Sequence, residues 1–134
     1  MKKFGYLILL GFLVLSACGS NSSSNSTLTP IETVPAEYAG KTNPLDVNAA
    51  TEGAEVFRSN CISCHGERGE GDGIASQSLD PKPANLIDVS KSVDDDYLYW
   101  RISAGKPGTS MVAWKGILTE EQIWQAITFI RTLK

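Results

Sequence analysis

Residues 61–65 read Cys61-Ile62-Ser63-Cys64-His65, and His65 is the only histidine in the chain. Two thiols at this spacing serve as a redox dithiol, as half of a zinc site, or as the attachment points of a haem. A structural zinc cage takes four protein ligands, and no second Cys/His pair exists to complete one. A thioredoxin-like dithiol sits in a βαβ pattern, which this sequence lacks. The histidine directly after the second cysteine favours haem. The thiols add across the vinyl groups as thioethers, and the imidazole meets the iron from the same turn of chain.

The flanking sequence reads as helices joined by loops, with no alternating strand pattern. A helix over residues 49–60 would place Gly53, Phe57 and Cys61 at four-residue spacing on a face leading into the haem motif. A second, over residues 93–104, has Asp94, Asp95 and Asp96 in its opening turn and Gly105 where a helix should stop. The aspartates therefore read as partners of the helix dipole rather than as a metal site. The third opens on Thr119-Glu120-Glu121-Gln122, which fits a capping box, with Leu118 and Ile123 as its hydrophobic staple. Ile123, Ile127 and Ile130 then line one face. The expected fold is all-α, with three main helices and loops wrapped around one covalently attached haem.

A second iron ligand can be sought by counting. Two histidine ligands from one chain are excluded, and once the leader is removed Met111 is the only methionine, 46 residues after His65. A lone methionine usually fills a core. Met111 instead lies in the Gly/Pro-punctuated stretch 105–111, between two elements that would wrap the ring, which favours a thioether on iron. Such a ligand raises the haem potential and closes the iron to other molecules. Gly69, Gly71 and Gly73 follow no strand and are joined by no Walker lysine, so they read as a haem-side turn rather than a phosphate loop.

Upstream, Lys2 and Lys3 precede an apolar run, residues 4–15, that is shorter than the roughly 20 residues a bilayer core requires. This reads as an export signal over residues 1–17. The Leu15-Ser16-Ala17-Cys18 that closes it resembles the lipobox of bacterial lipoproteins, which implies an acylated Cys18 as the mature N-terminus. The other two cysteines are committed to haem, so a leftover exported cysteine needs such an explanation. Stable anchoring takes more than one acyl chain, and the diacyl or triacyl group implied by the lipobox meets that condition. Residues 18–47 are rich in Ser, Asn, Thr and Pro and read as a flexible tether. Its span would be roughly 30 Å on average and roughly 100 Å when stretched.

Residues 48–134 are then enough for one small domain. Without residues 1–17 the chain has ten basic and fifteen acidic side chains, a formal charge of −5 before any propionates. That balance argues against nucleic acid and suits a partner with a positive patch.

Taken together, Cys61-Ile62-Ser63-Cys64-His65-Gly66, Gly69-Glu70-Gly71-Asp72-Gly73, Pro81-Lys82-Pro83-Ala84-Asn85-Leu86, residues 105–114 and the terminal helix resemble a class I cytochrome c of the small bacterial monohaem type, here in lipoprotein form. The likeness covers essentially the whole domain. It implies that Gly53 and Phe57 cross the last helix near Phe129. It also implies that a proline carbonyl, from Pro81 or Pro83, accepts the Nδ1 proton of His65 and fixes it for coordination through Nε2. Trp100, Arg101 and Trp114 could contact the ring or its propionates, or could equally be packing aromatics and a surface cation. Many relatives have proline directly after the ligand methionine, whereas this chain has Val112, which leaves that loop less stiff.

The function expected is that of a monomeric, membrane-tethered carrier of single electrons, not an enzyme. It would be exported and held at the outer face of the bacterial cell membrane or at a periplasm-facing envelope membrane. The family resemblance implies a quinol-oxidising complex upstream and a terminal oxidase or reductase downstream. The competing readings are a five-coordinate haem enzyme or gas or peroxide sensor with Met111 off the iron, and a dedicated electron-accepting subunit of a dehydrogenase complex. The sensor or enzyme reading lacks an obvious distal acid or base once the sole histidine is spent on iron.

Overall fold

A computed structural model of the chain describes residues 32–134. The signal over 1–17, Cys18 and the first part of the expected tether lie outside the described residues.

Among the described residues five α-helices succeed one another: α1 (Ala50–Asn60), α2 (Ile62–His65), α3 (Leu86–Ser92), α4 (Asp95–Ala104) and α5 (Glu120–Thr132). Short 3-10 turns cover Val47–Ala49 and Ile74–Ser78. The described residues contain no strand, only a single isolated bridge between Lys115 and Leu118. The three expected helices are present as α1, α4 and α5. Two short ones, α2 and α3, were not foreseen, and α4 begins at Asp95 because Val93 closes α3 and Asp94 caps the next helix.

Helices α1 and α5 cross closely, and the crossing depends on a residue without a side chain. A Cβ on Gly53 would stand 2.0 Å from the Gln125 carbonyl oxygen and 3.0 Å from Phe129 Cβ. One turn on, the rings of Phe57 and Phe129 meet with centroids 5.1 Å apart. The core gathers Phe57, Leu98, Tyr99, Ile102, Ile123, Trp124, Ile127 and Ile130, all buried. Helix α5 starts on the capping box read in the sequence: Thr119 Oγ1 accepts from Gln122 N–H at 3.1 Å, and Gln122 Oε1 accepts from Thr119 N–H at 2.9 Å.

The aspartates of α4 do more than complement its dipole. Asp95 Oδ1 accepts from Arg131 Nε and Nη2 at 3.0 and 2.7 Å. Arg131 also donates to the carbonyls of Ser90 and Val93, so one side chain joins the α3–α4 corner to the end of α5. On the other side, Asp95 Oδ2 accepts from Asn43 N–H at 3.2 Å and Asp96 Oδ2 from Gly40 N–H at 2.9 Å.

Those last contacts alter the expected boundary at residue 48. Residues 32–45 run along the domain as a strap instead of continuing the tether. Asn43 Nδ2 donates to the Trp124 carbonyl and to Thr128 Oγ1, and Tyr38 packs on Tyr99 with centroids 6.2 Å apart. Lys41 Nζ lies 5.2 Å from the centre of the Tyr99 ring. The composition of the strap is polar, yet the Gly40 and Asn43 backbone amides and the Asn43 side chain find partners far along the chain.

Candidate functional site

Helix α1 runs into the cysteine motif with one residue between the helices. Cys61 N–H donates to the Phe57 carbonyl at 2.8 Å, and His65 N–H to the Cys61 carbonyl at 2.9 Å, so the motif is itself a helical turn. The glycine-rich turn then folds back over it: Gly71 N–H donates to the His65 carbonyl at 2.8 Å and Gly73 N–H to the Cys64 carbonyl at 3.2 Å. Gly71 and Gly73 thus clasp α2 through the backbone, while Gly69 N–H donates to the Gly66 carbonyl at 3.1 Å.

Both thiols are free and half-buried. Burial, reinforced by Cys64, pushes the Cys61 thiol up to about 12. That is the reverse of the depressed value that activates a redox dithiol. Burial likewise holds His65 below the ordinary histidine range, against the opposite pull of the Ala84 carbonyl. His65 Nδ1 lies 3.2 Å from that carbonyl oxygen. A carbonyl can only accept, so the contact puts the proton on Nδ1 and leaves the Nε2 lone pair available. The expected partner was Pro81 or Pro83. Pro83 turns its carbonyl toward Gly71, 2.4 Å from where a Cβ would stand. Ala84, the last residue before the Asn85 cap of α3, is the one facing the imidazole.

Cys61, Cys64, His65 and Met111 all line one cavity of about 470 Å³. Its apolar wall comes from Leu86 and Val89 of α3, Leu98 and Ile102 of α4, and Ile130 of α5. Pro81, Pro83, Trp114 and Arg101 line it too, with Lys82 and Lys106. Trp100 does not line it. It stands behind Arg101, whose guanidinium carbon lies 3.7 Å from the Trp100 ring centre. The wall residues are spaced i, i+3 on α3 and i, i+4 on α4, so helical periodicity was the signal that could have found them.

The ends of the Met111 loop are fixed by backbone bonds. Lys106 N–H donates to the Met111 carbonyl at 3.1 Å, Trp114 N–H to Ile102 at 3.0 Å and Lys115 N–H to Ser103 at 3.1 Å. Met111 N–H donates to Thr109 Oγ1 at 3.1 Å. Met111 itself is half-buried and Val112 is 56% exposed.

Arg101 is only 6% exposed, and its Nε has no hydrogen-bond partner. Its Nη2 lies 2.7 Å from Glu32 Oε2 as an ion pair, without the alignment of a hydrogen bond. A haem fits such a place on its chemistry. Two thiols can attach it, an imidazole and a thioether can ligate iron, the walls are apolar, and a buried cation with an unsatisfied donor can meet an anionic edge.

A family model described as cytochrome C oxidase, cbb3-type, subunit III, matches residues 48–130. The chain belongs to this family. Membership makes it a c-type cytochrome domain and implies covalently bound haem c. Among its relatives, the Cbb3-type cytochrome c oxidase subunit FixP of Azorhizobium caulinodans is 36% identical over 92 residues, covering 67% of this chain and 29% of the relative. The subunit FixPc of Rhizobium leguminosarum bv. viciae is 32% identical over 109 residues, covering 79% and 36%. This cytochrome domain therefore spans about a third of the length of the curated relatives it matches. A solved structure, the reducing HAO-like protein complex of Kuenenia stuttgartiensis, superposes with a TM-score of 0.56 at 36% identity, covering 60% of this chain and 40% of that one. The fold is that of cytochrome c. No helix of the described residues is long and apolar enough to cross a membrane.

Proposed function

We propose that the chain is a membrane-anchored cytochrome c that passes single electrons between respiratory partners and converts no substrate of its own. Cys61 and Cys64 would hold one haem covalently, and His65 Nε2 and the Met111 sulfur would be the side-chain atoms that bind its iron. The observation that carries this reading is that all four side chains line a single cavity with apolar walls, of a volume within the usual ~300–1,000 Å³ of cofactor sites. Bound there, haem supplies a ferric/ferrous couple.

The chain's own residues do the rest. Ala84 holds the Nδ1 proton and so orients His65. The backbone bonds of residues 105–115 keep Met111 at the cavity, and α3, α4 and α5 exclude water. A thioether that occupies the last iron position favours electron transfer over ligand chemistry.

Anchoring is proposed through a lipid on Cys18 after removal of residues 1–17. The chain between Cys18 and the strap would then link the lipid to the haem domain. Short tethering raises the effective concentration of the domain near membrane redox complexes. The relatives named as oxidase subunits support a terminal oxidase as acceptor, with a quinol-oxidising complex as donor.

The test is the visible spectrum of the holo-protein, oxidised and reduced, for wild type and Met111→Ala, with and without carbon monoxide. Wild type should show the weak red charge-transfer band of thioether on ferric iron and stay unchanged by carbon monoxide when reduced. Met111→Ala should lose the band and bind the gas. A wild type that lacks the band and binds carbon monoxide is a five-coordinate enzyme or sensor instead.

A further inference from the structure

One end of the described strap reaches the cavity wall. Its first described residue, Glu32, is paired with Arg101, and the two differ sharply in setting: the Glu32 side chain is 54% exposed and that of Arg101 only 7%. Arg101 lines the haem cavity, whereas Glu32 does not. The guanidinium is clamped, lying 3.7 Å from the Trp100 ring centre and 5.3 Å from that of Tyr97, and it leaves Nε without a partner. A fixed, desolvated cation thus faces the cavity while its counter-charge approaches from the solvent side.

We propose that Glu32 is a positioning residue of the haem site: by pairing with Arg101 from outside, its carboxylate sets how much of that cation's field reaches the bound haem. The inference rests on the haem reading above. Its physical basis is Coulomb's law in a medium of low polarisability. A cation beside the cavity favours the state of the couple with less positive charge, the reduced one, and a carboxylate on the far side of that cation offsets it. The pair is oriented by more than its own attraction, because Asp95 and Asp96 hold the amides of Asn43 and Gly40 further along the strap. The carboxyl of Glu32 is accordingly held below the usual carboxylate range, first by Arg101 beside it. Exposure of Glu32 screens the effect and makes it fall with added salt.

The experiment is a potentiometric titration of the full-length holo-protein at low salt, comparing wild type with Glu32→Gln and Glu32→Asp. Glu32→Gln should raise the midpoint, with about a threefold higher ratio of reduced to oxidised protein at a fixed potential, or ~28 mV at 59 mV per tenfold. Glu32→Asp should stay near wild type, and the difference should shrink at high salt. In an Arg101→Gln background the same Glu32→Gln change should lose most of its effect. A midpoint unchanged in Glu32→Gln overturns the inference and leaves the haem reading standing. A fall overturns it too, since a strap that merely keeps water out would lower the midpoint when loosened. A protein that acquires no covalent haem overturns both.

Discussion

Gly105 ends α4 with φ of +72° and ψ of −167°, a conformation that is essentially confined to glycine. A Cβ there would stand 2.6 Å from the Met111 carbonyl oxygen and 2.8 Å from the Val112 carbonyl carbon. Backbone strain of this kind costs about 1–3 kcal/mol, and the clash adds to it. The atoms that must move belong to the loop that presents Met111. Gly105→Ala is therefore expected to lower the thermal midpoint by roughly 5–15 °C. It should also let the reduced protein bind carbon monoxide, which wild type should not; a variant as stable and as gas-tight as wild type would disprove the coupling. At this scale the sequence was informative wherever chemistry is unique to a side chain. Cys61, Cys64, His65 and Met111, which line one cavity, could be singled out because a thiol, an imidazole and a thioether have few substitutes. Ala84 could not, because the group it offers His65 is a carbonyl that every residue carries, and only the path of the chain decides which one arrives. Arg101 was legible as a charge but not as a buried one, and Glu32, 69 positions before it, could not be paired with it by any local pattern.

Helices α1 and α5 meet through a glycine that is costly to replace. Gly53→Ala would gain about 1 kcal/mol of helix propensity. The new Cβ would stand 2.0 Å from a backbone oxygen of α5, which cannot rotate away as a side chain would. Separating the helices would also disturb the Phe57–Phe129 contact. Overpacking typically costs about 1–3 kcal/mol, more where backbone must move, so the clash outweighs the propensity. The variant should unfold at a lower denaturant concentration than wild type with an unchanged slope; a rise in that midpoint would show that the crossing tolerates a methyl. The long helices were legible for the same reason that they are stable. Each couples an apolar stripe to a recognisable end, Thr119 and Gln122 for α5 and Gly105 for α4. Helix α3, at seven residues, is too short for periodicity to declare itself, and its Asn85 cap is its clearest sign. In sequence the strap is indistinguishable from tether, because Ser, Asn, Thr and Pro are common in disordered chain. What orders it lies 52 to 85 positions away, in Asp95, Asp96 and the Trp124 and Thr128 acceptors.

Across the whole molecule, the helices surround a space that the chain does not fill. The cavity of about 470 Å³ is bounded by all of α2 to α5 and by the Met111 loop. Apolar side chains of α3, α4 and α5 turn toward that space, and a haem seated there would complete their burial. The total stability of a domain is about 5–15 kcal/mol. Contacts with a haem seated there can decide whether a domain of that stability keeps fixed packing, so the walls are expected to collapse or loosen when none is attached. Helical segments with their own caps, above all α5, can survive such a collapse, whereas the packing of Leu98, Ile102 and Ile130 against the cavity cannot. Cys61→Ala/Cys64→Ala protein, purified free of haem, is therefore expected to keep part of its far-ultraviolet helical signal. It should lose its near-ultraviolet signal and unfold without a cooperative transition, as compact states lacking fixed packing do. Cooperative unfolding with a native near-ultraviolet spectrum in that haem-free variant would mean that the protein walls, rather than the haem they enclose, hold the fold.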